Sequence, residues 1–407
     1  MPGTDHAGIA TQTVVEKRLL TQGKRRTEFT REAFVAKVQE WKDEYEATIT
    51  EQLRVMGASC DWDRQRFTMD PVCAAAVREA FYRLFNDDLI YRGKRLVNWD
   101  PVSLTALADD EVEMKDIAGH MWYLRYPLVH PPKNSNDRFD TEPVTWSELA
   151  ARGYPVPNDD EHADDARAWI TVATTRPETY LGDSGVAVNP NDPRAAALVG
   201  LMVQLPIVGR VIPIVQDEYV VLPVALGGPK GDAKAEFASG FLKVTPAHDP
   251  NDWDIGRRHD LEVINIMAPD GSISDQHGWD RAERGEDGHL FIGLSREEAR
   301  MKVVSEFESR RLLEKTIDYA HSVGHSYRSH VPIEPYLSDQ WYVRVSDDRL
   351  VGEAARAQVD EQYDGVKPRR EHGAHRKSGD GGLRFYPPRY AKMFQSWHDN
   401  LRDWCIS

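Results

Sequence analysis

Trp169-Ile-Thr-Val-Ala-Thr-Thr-Arg-Pro-Glu-Thr179 is the stretch from which the fold of this chain is best predicted. A second stretch, residues 237–252, reads Phe-Ala-Ser-Gly-Phe-Leu-Lys-Val-Thr-Pro-Ala-His-Asp-Pro-Asn-Asp. Each begins as a β-rich run and ends in a turn that carries hydroxyls, carboxylates and a cation. Strand ends that present polar groups together are frequent places for functional sites. We therefore predict that the two ends face each other and form one pocket.

Residues 168–270, which contain both stretches, have the pattern of a β-rich domain. Short apolar and β-branched runs are separated by turn residues at close intervals, which predicts a compact barrel or mixed β domain. The predicted strands cover 169–175, 184–188, 211–215, 219–224, 240–245 and 262–267. Further strands are predicted at 96–99, 121–126 and 335–345, and a capping box at Ser295 and Glu298 predicts a helix that ends at about Leu313.

Two helices are predicted near the start of the chain. The first covers 30–56, with Thr30 as its N-cap and Gly57 after its end. The second begins at Asp70-Pro71, a cap followed by proline at the first helical position, and ends near Gly93. Apolar residues at helical spacing predict that both helices contribute to the core. The predicted core residues are Phe34, Val38, Trp41, Tyr45, Ile49, Leu53 and Met56 in the first helix, and Val77, Phe81, Leu84 and Phe85 in the second.

Length and composition indicate a folded protein of two or three domains, taking about 150 residues per domain. The 407 residues are 41% apolar and include 11 Trp, and the net charge is −15 from 51 basic and 66 acidic residues. That balance gives no general basic surface for nucleic acid, although net charge does not exclude a local basic patch. Three cysteines without a Cys-x-x-Cys pair predict reduced thiols. No apolar run approaches the roughly 20 residues of a membrane helix, and we expect a cytoplasmic protein.

The second stretch carries the candidate chemistry. Asp249 before Pro250 predicts a helix N-cap, and Asp252 falls in the first turn, where a carboxylate suits the helix dipole. The same spacing also suits two carboxylates that bind an amine and a hydroxyl at one helix end. A metal site that includes His248 is a weaker alternative, because no second histidine cluster supports it. Lys243 is expected to face solvent by alternation or, on a central strand, to pair with a carboxylate such as Asp249.

At this point the residues resemble a known family. The segment 173–179, Ala-Thr-Thr-Arg-Pro-Glu-Thr, resembles the threonine-rich motif of the editing domain in class I aminoacyl-tRNA synthetases, and 240–252 resembles its partner motif. Four further segments, at 3–12, 189–194, 334–342 and 402–407, resemble the valine–tRNA ligases within that family. The resemblance covers nearly the whole chain apart from insertions near 130–167 and 364–382.

The resemblance implies an α/β fold, in which part of a Rossmann-type catalytic domain is interrupted by a β-rich editing domain, the connective peptide. The first half of the catalytic domain would be 1–93, and a ribbon would link it to the editing domain at 127–317. The expected ribbon segments are 94–126 and 318–345, and the chain would return to the catalytic domain at 346–407.

The resemblance also implies roles for single residues in removing threonine from tRNA(Val). Asp252 would hold the α-amino group, Lys243 and Asp249 would read the threonine hydroxyl, and Phe237 would line the pocket. Thr174, Thr175 and Arg176 would position the terminal ribose and the ester, and an oriented water would attack. Asp5 matches a catalytic-domain position that contacts the amino group of valine. From the residues alone, a frayed terminus with an Asx turn at Asp5 is favoured over a loop that follows an upstream strand.

Further expectations concern cofactors, partners and completeness. The intact enzyme would use ATP with Mg²⁺, valine and tRNA(Val), and would be a monomer. The family's His-x-Gly-His and Lys-Met-Ser-Lys-Ser motifs would lie outside the 407 residues, so this chain is not expected to form valyl-adenylate. Asp and Ser at 98–103 and 325–329 replace the zinc cysteines of some relatives, which predicts no zinc. The alternatives are a free-standing editing hydrolase, a metal-dependent hydrolase built on His248 and Asp249, and a binding module without turnover.

Overall fold

The computed structural model describes residues 1–133, 140–157, 160–163, 166–280, 285, 287–363 and 381–407. Its contacts divide the chain into two compact units, which are Met1–Lys94 with Asp339–Ser407, and Arg95–Ser338. Each boundary falls inside a strand. The first lies within the strand Ile90–Asp100, and the second lies within the strand Glu334–Val343. Most of the insertion predicted near 364–382 and parts of that near 130–167 lie outside the described residues.

The structure is mixed α/β, as predicted. The helices are, in chain order, α1 (Gly8–Thr21), α2 (Arg31–Val55), α3 (Pro71–Asn86), α4 (Trp146–Ala151), α5 (Ala233–Phe237), α6 (Pro250–Arg258), α7 (Arg296–Ser309), α8 (Glu353–Ala357) and α9 (Arg389–Asp399). The strands are β1 (Gly3–Thr4), β2 (Arg66–Phe67), β3 (Ile90–Asp100), β4 (Thr105–Leu107), β5 (Val112–Val129), β6 (Trp169–Thr174), β7 (Gly185–Val188), β8 (Met202–Gln204), β9 (Val211–Gln216), β10 (Phe241–Val244), β11 (Leu313–Ser326), β12 (Glu334–Val343) and β13 (Trp404–Cys405). Among the described helices none is long and apolar enough to cross a membrane.

The second unit is built on a seven-stranded sheet. Its strand order is β10-β7-β9-β8-β5-β11, and β6 pairs with β5 outside this path. The pair β7 and β9 is parallel, whereas β10 and β6 are joined to their neighbours in antiparallel fashion. The long antiparallel pair of β5 and β11 extends from this sheet as a ribbon. A continuous apolar core lies under the sheet, and its largest fully buried side chains include Trp279, Tyr126, Tyr180, Phe291 and Phe307.

Four of the six strands predicted for this region are confirmed, and two are wrong. The segment 219–224 forms no strand, since β7 already has β9 and β10 as neighbours, and the Val220 carbonyl instead accepts from the Asn189 side chain at 2.7 Å. In the segment 262–267, residues 264–267 are buried but have no strand partner among the described residues beyond a single bridge at Met267. Its Ile266 N–H donates to the His248 ring at 3.1 Å. Apolar β-branched runs therefore indicated burial here and not sheet pairing.

The first unit confirms the helix starts but not the predicted core. Thr30 and Asp70 cap α2 and α3 as expected. Only Phe34 of the α2 stripe is buried, whereas Ile49 and Met56 are 48% and 81% exposed. In α3 the predicted core residues Val77, Phe81 and Phe85 are exposed, and the helix ends at Asn86 and not near Gly93. Helical periodicity identifies an apolar face, but it does not say whether another element covers that face.

Candidate active site

A buried lysine lies at the centre of the second stretch. Lys243 on β10 is 5% exposed, and its Nζ donates to Asp183 Oδ1 at 2.8 Å and to the hydroxyl of Thr245. The Thr245 hydroxyl also donates to Asp183 at 2.6 Å, and Tyr126 donates to the other Asp183 oxygen at 2.7 Å. Lys243 therefore faces the interior, and its carboxylate partner is Asp183. The expected pairing with Asp249 is wrong, because the Asp249 side chain is engaged elsewhere.

Asp249 caps the helix that carries Asp252. Asp249 Oδ1 accepts from the N–H groups of Asn251 at 2.7 Å and Asp252 at 3.2 Å, and Pro250 occupies the first helical position. This confirms the predicted N-cap. Asp252 is 6% exposed and accepts from the Thr245 N–H at 2.8 Å. Burial, followed by the neighbouring charge of Asp249, raises the pKa of Asp252 to about 7. Asp252 is thus a desolvated carboxyl that titrates near neutrality.

Arg176 is held from three directions at the end of the first stretch. Its Nε donates to Glu178 at 3.2 Å, one terminal nitrogen donates to the His248 carbonyl at 3.1 Å, and the other contacts Glu334. Although burial acts to lower it, the pKa of Arg176 is raised by the charges of Glu334 and Glu178. Arg300 pairs with the fully buried Glu178 at 2.8 Å. Each of the three guanidinium nitrogens of Arg176 therefore has a partner, and the side chain links the turn at the end of the first stretch to the second stretch.

The two stretches meet as predicted, through Arg176 and the His248 carbonyl. Thr174 is 9% exposed, and its hydroxyl accepts from the Arg176 N–H at 3.0 Å, while Thr175 is half-buried beside it. Phe237 contacts residues of the two ribbon strands β5 and β11. Its ring packs edge-on against Tyr319 at 5.2 Å, and its carbonyl accepts from the Tyr123 hydroxyl at 2.8 Å.

His248 is a buried residue whose ring supports the neighbouring backbone. Its Nε2 accepts from the Ile266 N–H at 3.1 Å, so a proton on the neutral ring lies on Nδ1. Burial, with the positive charges of Arg176 and Lys243, lowers the pKa of His248 well below its usual value. Within the part of the chain that the structure describes, no three His, Cys, Asp or Glu side chains are grouped to hold a metal ion.

Asp5 lies in the first unit. It follows β1, which pairs in parallel with β2, and its Oδ1 accepts from the Ala7 N–H at 3.1 Å. This is the Asx turn that the residues alone suggested. The side chain of Asp5 is 73% exposed and lies 3.2 Å from the His6 ring.

Comparisons with known proteins place the chain in a family. The family model described as class I tRNA synthetases (I, L, M and V) matches residues 1–407. The chain belongs to the class I tRNA synthetases. A valine–tRNA ligase of Protochlamydia amoebophila is 43% identical over 408 residues, and those of Geobacter sulfurreducens and Treponema denticola are 42% and 41% identical over 407 residues. Each alignment covers 100% of this chain but only 34%, 37% and 37% of the respective relative. The chain thus spans about a third of the length of these relatives.

Three residues of the candidate site were missed from sequence. Asp183 is fully buried and binds Lys243, while Thr245 joins Lys243 to Asp252 through its hydroxyl and its N–H. Tyr126 on strand β5 also donates to Asp183. A signal for Asp183 was present, because an acidic residue two positions before the apolar strand β7 has to be solvated or paired once that strand is buried.

Proposed function

We propose that this chain carries the editing site of a valine–tRNA ligase, which hydrolyses threonyl-tRNA(Val). The observation that carries the proposal is the arrangement of Lys243 and Asp252 on the same residue, Thr245. A buried ammonium and a buried carboxyl that share Thr245 as a hydrogen-bond partner provide a donor for a hydroxyl and an acceptor for an amine. A threonyl ester carries both groups. Its side-chain hydroxyl is absent from a valyl ester, and its α-amino group is absent from a plain ester.

The need for such a site follows from the similar shapes of valine and threonine. An apolar pocket rejects the added hydroxyl only about 10²-fold, a figure established for valine enzymes of this class themselves. A second site that forms a hydrogen bond with the hydroxyl binds threonine in preference to valine. It leaves its own polar groups unpaired when valine occupies it, which costs more free energy than a missing methyl contact.

Asp252 is the group we assign to the α-amino group. The described residues give its carboxyl one hydrogen-bond donor, the Thr245 N–H, so acceptor capacity remains for a ligand. An ammonium at that position favours the charged carboxylate and lowers the pKa of Asp252 from about 7. Binding of the amine is therefore coupled to loss of the carboxyl proton.

Lys243 and Asp249 are the groups we assign to the threonine hydroxyl. The ammonium of Lys243 has three N–H donors, and the described contacts use two of them, to Asp183 and Thr245. The third can donate to a substrate hydroxyl, and Asp249 supplies an acceptor for the hydroxyl proton. Asp183 and Tyr126 act as positioning residues, because they fix Lys243 in the interior.

The remaining assignments concern the ester. Thr174 and Thr175 would bind the terminal ribose, and Arg176 would fix the turn that presents them, while Phe237 would line the pocket. None of these residues has the pattern of an activated nucleophile, so an oriented water would attack the ester carbonyl and the ribose hydroxyl would leave. Residues 127–317 would form the editing domain.

The rest of the proposal concerns the intact enzyme. It would attach valine to tRNA(Val) in the cytoplasm with ATP and Mg²⁺ as substrates, and Asp5 would contact the amino group of valine there. The 41–43% identity to three valine–tRNA ligases along the whole chain supports this assignment.

Deacylation of threonyl-tRNA(Val) and valyl-tRNA(Val) by the purified chain tests the proposal. We expect threonine to be released at least about 10²-fold faster than valine, since the polar site is left unpaired by valine. Asp252→Asn should lower threonine release by about 10²-fold or more, because a buried charged hydrogen bond to the amine is lost.

The matched control is Asp254→Asn. Asp254 is exposed and lies on the same helix α6, so this variant should deacylate like the parent chain. Equal release of threonine and valine, or full activity in Asp252→Asn, would remove the assignment.

A further inference from the structure

A separate pocket of about 390 Å³ lies beside the candidate site in the same unit. Its volume is within the range of small-molecule sites and is large enough for a planar heterocycle. Aromatic rings and two arginines form much of its wall, namely Trp146, Tyr154, Trp169, Phe241, Arg125 and Arg194. None of the roles assigned above uses this pocket.

The arginines of this pocket lie over aromatic rings. The guanidinium carbon of Arg125 lies 4.5 Å from the Trp169 ring centre, and that of Arg194 lies 4.3 Å from the Phe241 ring centre. The rings of Trp146 and Trp169 meet edge to face at 4.9 Å. Layers of aromatic and guanidinium planes are the surfaces on which proteins stack unpaired nucleobases.

Two N–H groups in the wall of the pocket have no acceptor among the described residues. The Nε1–H of Trp146 is one, although this side chain is only 3% exposed, and the Nε–H of Arg125 is the other. A buried donor without an acceptor costs about 1–3 kcal/mol. Together they favour a planar occupant with ring nitrogen or carbonyl acceptors over a purely apolar one.

The charges in the pocket oppose a phosphate as occupant. Arg125 pairs with Glu161 at 2.6 Å and approaches Glu314 at 3.7 Å, and Arg194 pairs with Asp192 at 2.7 Å. The positive charges of both arginines are thus already matched by carboxylates. The arginines therefore offer their planes and residual N–H groups, and not a net charge, to a ligand.

The position of the pocket connects it to the candidate site. Trp169 and Thr171 lie on β6, which ends at Thr174, and Phe241 lies on β10 two residues before Lys243. At about 3.3 Å per strand residue, Phe241 is roughly 7 Å along the strand from Lys243. The pocket is therefore close enough to the candidate site to be reached by a nucleotide next to a 3′ end bound there.

We propose that this pocket binds an unpaired nucleobase of the RNA strand that delivers its 3′ end to the candidate site. The base stacks against Trp169, accepts hydrogen bonds from Trp146 and Arg125, and holds the strand in register. This inference rests on the proposed editing function, since that function requires an RNA end at the site.

The test is the binding of a short single-stranded RNA with the sequence of the tRNA(Val) 3′ end, followed by fluorescence anisotropy. Abasic nucleotides replace the bases one position at a time. We expect one position at which loss of the base weakens binding about tenfold, as for one stacked base. Trp146→Phe should weaken the binding of the intact RNA by a similar factor. In this variant the abasic nucleotide at that position should have no further effect on binding.

The control for Trp146→Phe is Trp279→Phe, which removes another buried indole N–H without a described partner, outside the pocket. It should bind RNA like the parent chain. A free mononucleotide should bind far more weakly than the RNA, and equal binding would indicate a nucleotide site unrelated to the strand. If no abasic position weakens binding to the parent chain, the proposal is overturned whatever the variants do.

A second readout separates this inference from the editing proposal. The 3′-threonyl ester of adenosine carries no upstream nucleotide, so its hydrolysis should be unchanged in Trp146→Phe and lost in Asp252→Asn. If the ester is not hydrolysed but the abasic effect is present, the editing function fails and the base pocket stands. If the ester is hydrolysed and the abasic effect is absent, the pocket fails alone.

Discussion

Asp100 at the base of the ribbon and Asp252 in the candidate site are both buried carboxyls, yet their surroundings act in opposite directions. Asp100 is 0% exposed and accepts from the N–H groups of Val102 and Ser103 and from the Ser326 hydroxyl, at 2.7–3.0 Å. Although burial acts to raise it, the pKa of Asp100 is lowered by these hydrogen bonds. Asp252 is 6% exposed, accepts from one N–H, and its pKa is raised to about 7.

The difference separates a structural carboxylate from one that is available to a ligand. Asp100 has its acceptor capacity filled by the chain itself, and it joins the turn after β3 to the end of β11. Asp252 has been desolvated without equivalent compensation, and Asp249 adds a like charge beside it. Sites that bind or react are where such uncompensated groups are found.

The largest expected effect is on the pH dependence of stability in Asp252→Asn. A carboxyl with a raised folded-state pKa is stabilising when protonated, so the parent chain loses stability as pH rises from about 4 to about 7. A shift of the Asp252 pKa from 3.8 to about 7 corresponds to a loss on the order of 4 kcal/mol in the free energy of unfolding. Asn carries no charge, so the variant should be more stable than the parent at pH 8 by up to that amount. Urea unfolding at pH 8 and pH 4.5 measures it, and a pH-independent difference would contradict the assigned environment.

A smaller effect of opposite sign is expected for Asp100→Asn. The amide nitrogen of Asn cannot accept a hydrogen bond from the Ser326 hydroxyl, and the remaining hydrogen bonds are no longer assisted by a charge. The free energy of unfolding of the variant should therefore be lower by about 2 kcal/mol at pH 7. Because the folded-state pKa of Asp100 is lowered, this loss should persist above about pH 4 and shrink only in acid. Urea unfolding across pH 3–7 measures it.

Two serine variants sharpen the same comparison. Ser326→Ala removes one donor to Asp100 and should cost about 1 kcal/mol. Ser184→Ala is the matched control, because the buried Ser184 hydroxyl has no partner in the described structure. It should be neutral. Equal losses in both variants would mean that the hydroxyl of Ser326 does not stabilise Asp100.

Capping residues were the reliable part of the fold prediction. Thr30, Asp70, Asp249 and Ser295 each satisfy N–H groups at a helix start by contacts that are local in sequence, so neighbouring residues determine them. Sheet membership depends on distant partners. Residues 264–267 are buried like a strand, yet the backbone of Ile266 bonds to a histidine ring and to the Ser274 N–H, and no local pattern encodes these partners.

The site was predictable in its composition but not in its pairing. The carboxylates, the lysine and the threonines were identified from two short stretches, and the structure brings those stretches together through Arg176. The partner of Lys243 was misassigned because Asp249 is close in sequence, whereas Asp183 approaches from 60 residues away along the chain. A buried ammonium is matched by whichever carboxylate the sheet register places against it, and register is not read from one strand alone.

The most direct measurement is an NMR titration of the Asp252 carboxyl, assigned by difference with Asp252→Asn, with and without a non-hydrolysable amide analogue of 3′-threonyl adenosine. The account predicts a pKa of about 7 in the free chain and a decrease of at least about one unit when the ammonium of the analogue binds. A free-chain pKa near 4, or a pKa that the analogue leaves unchanged, would contradict the assignment of Asp252 as the amine-binding group.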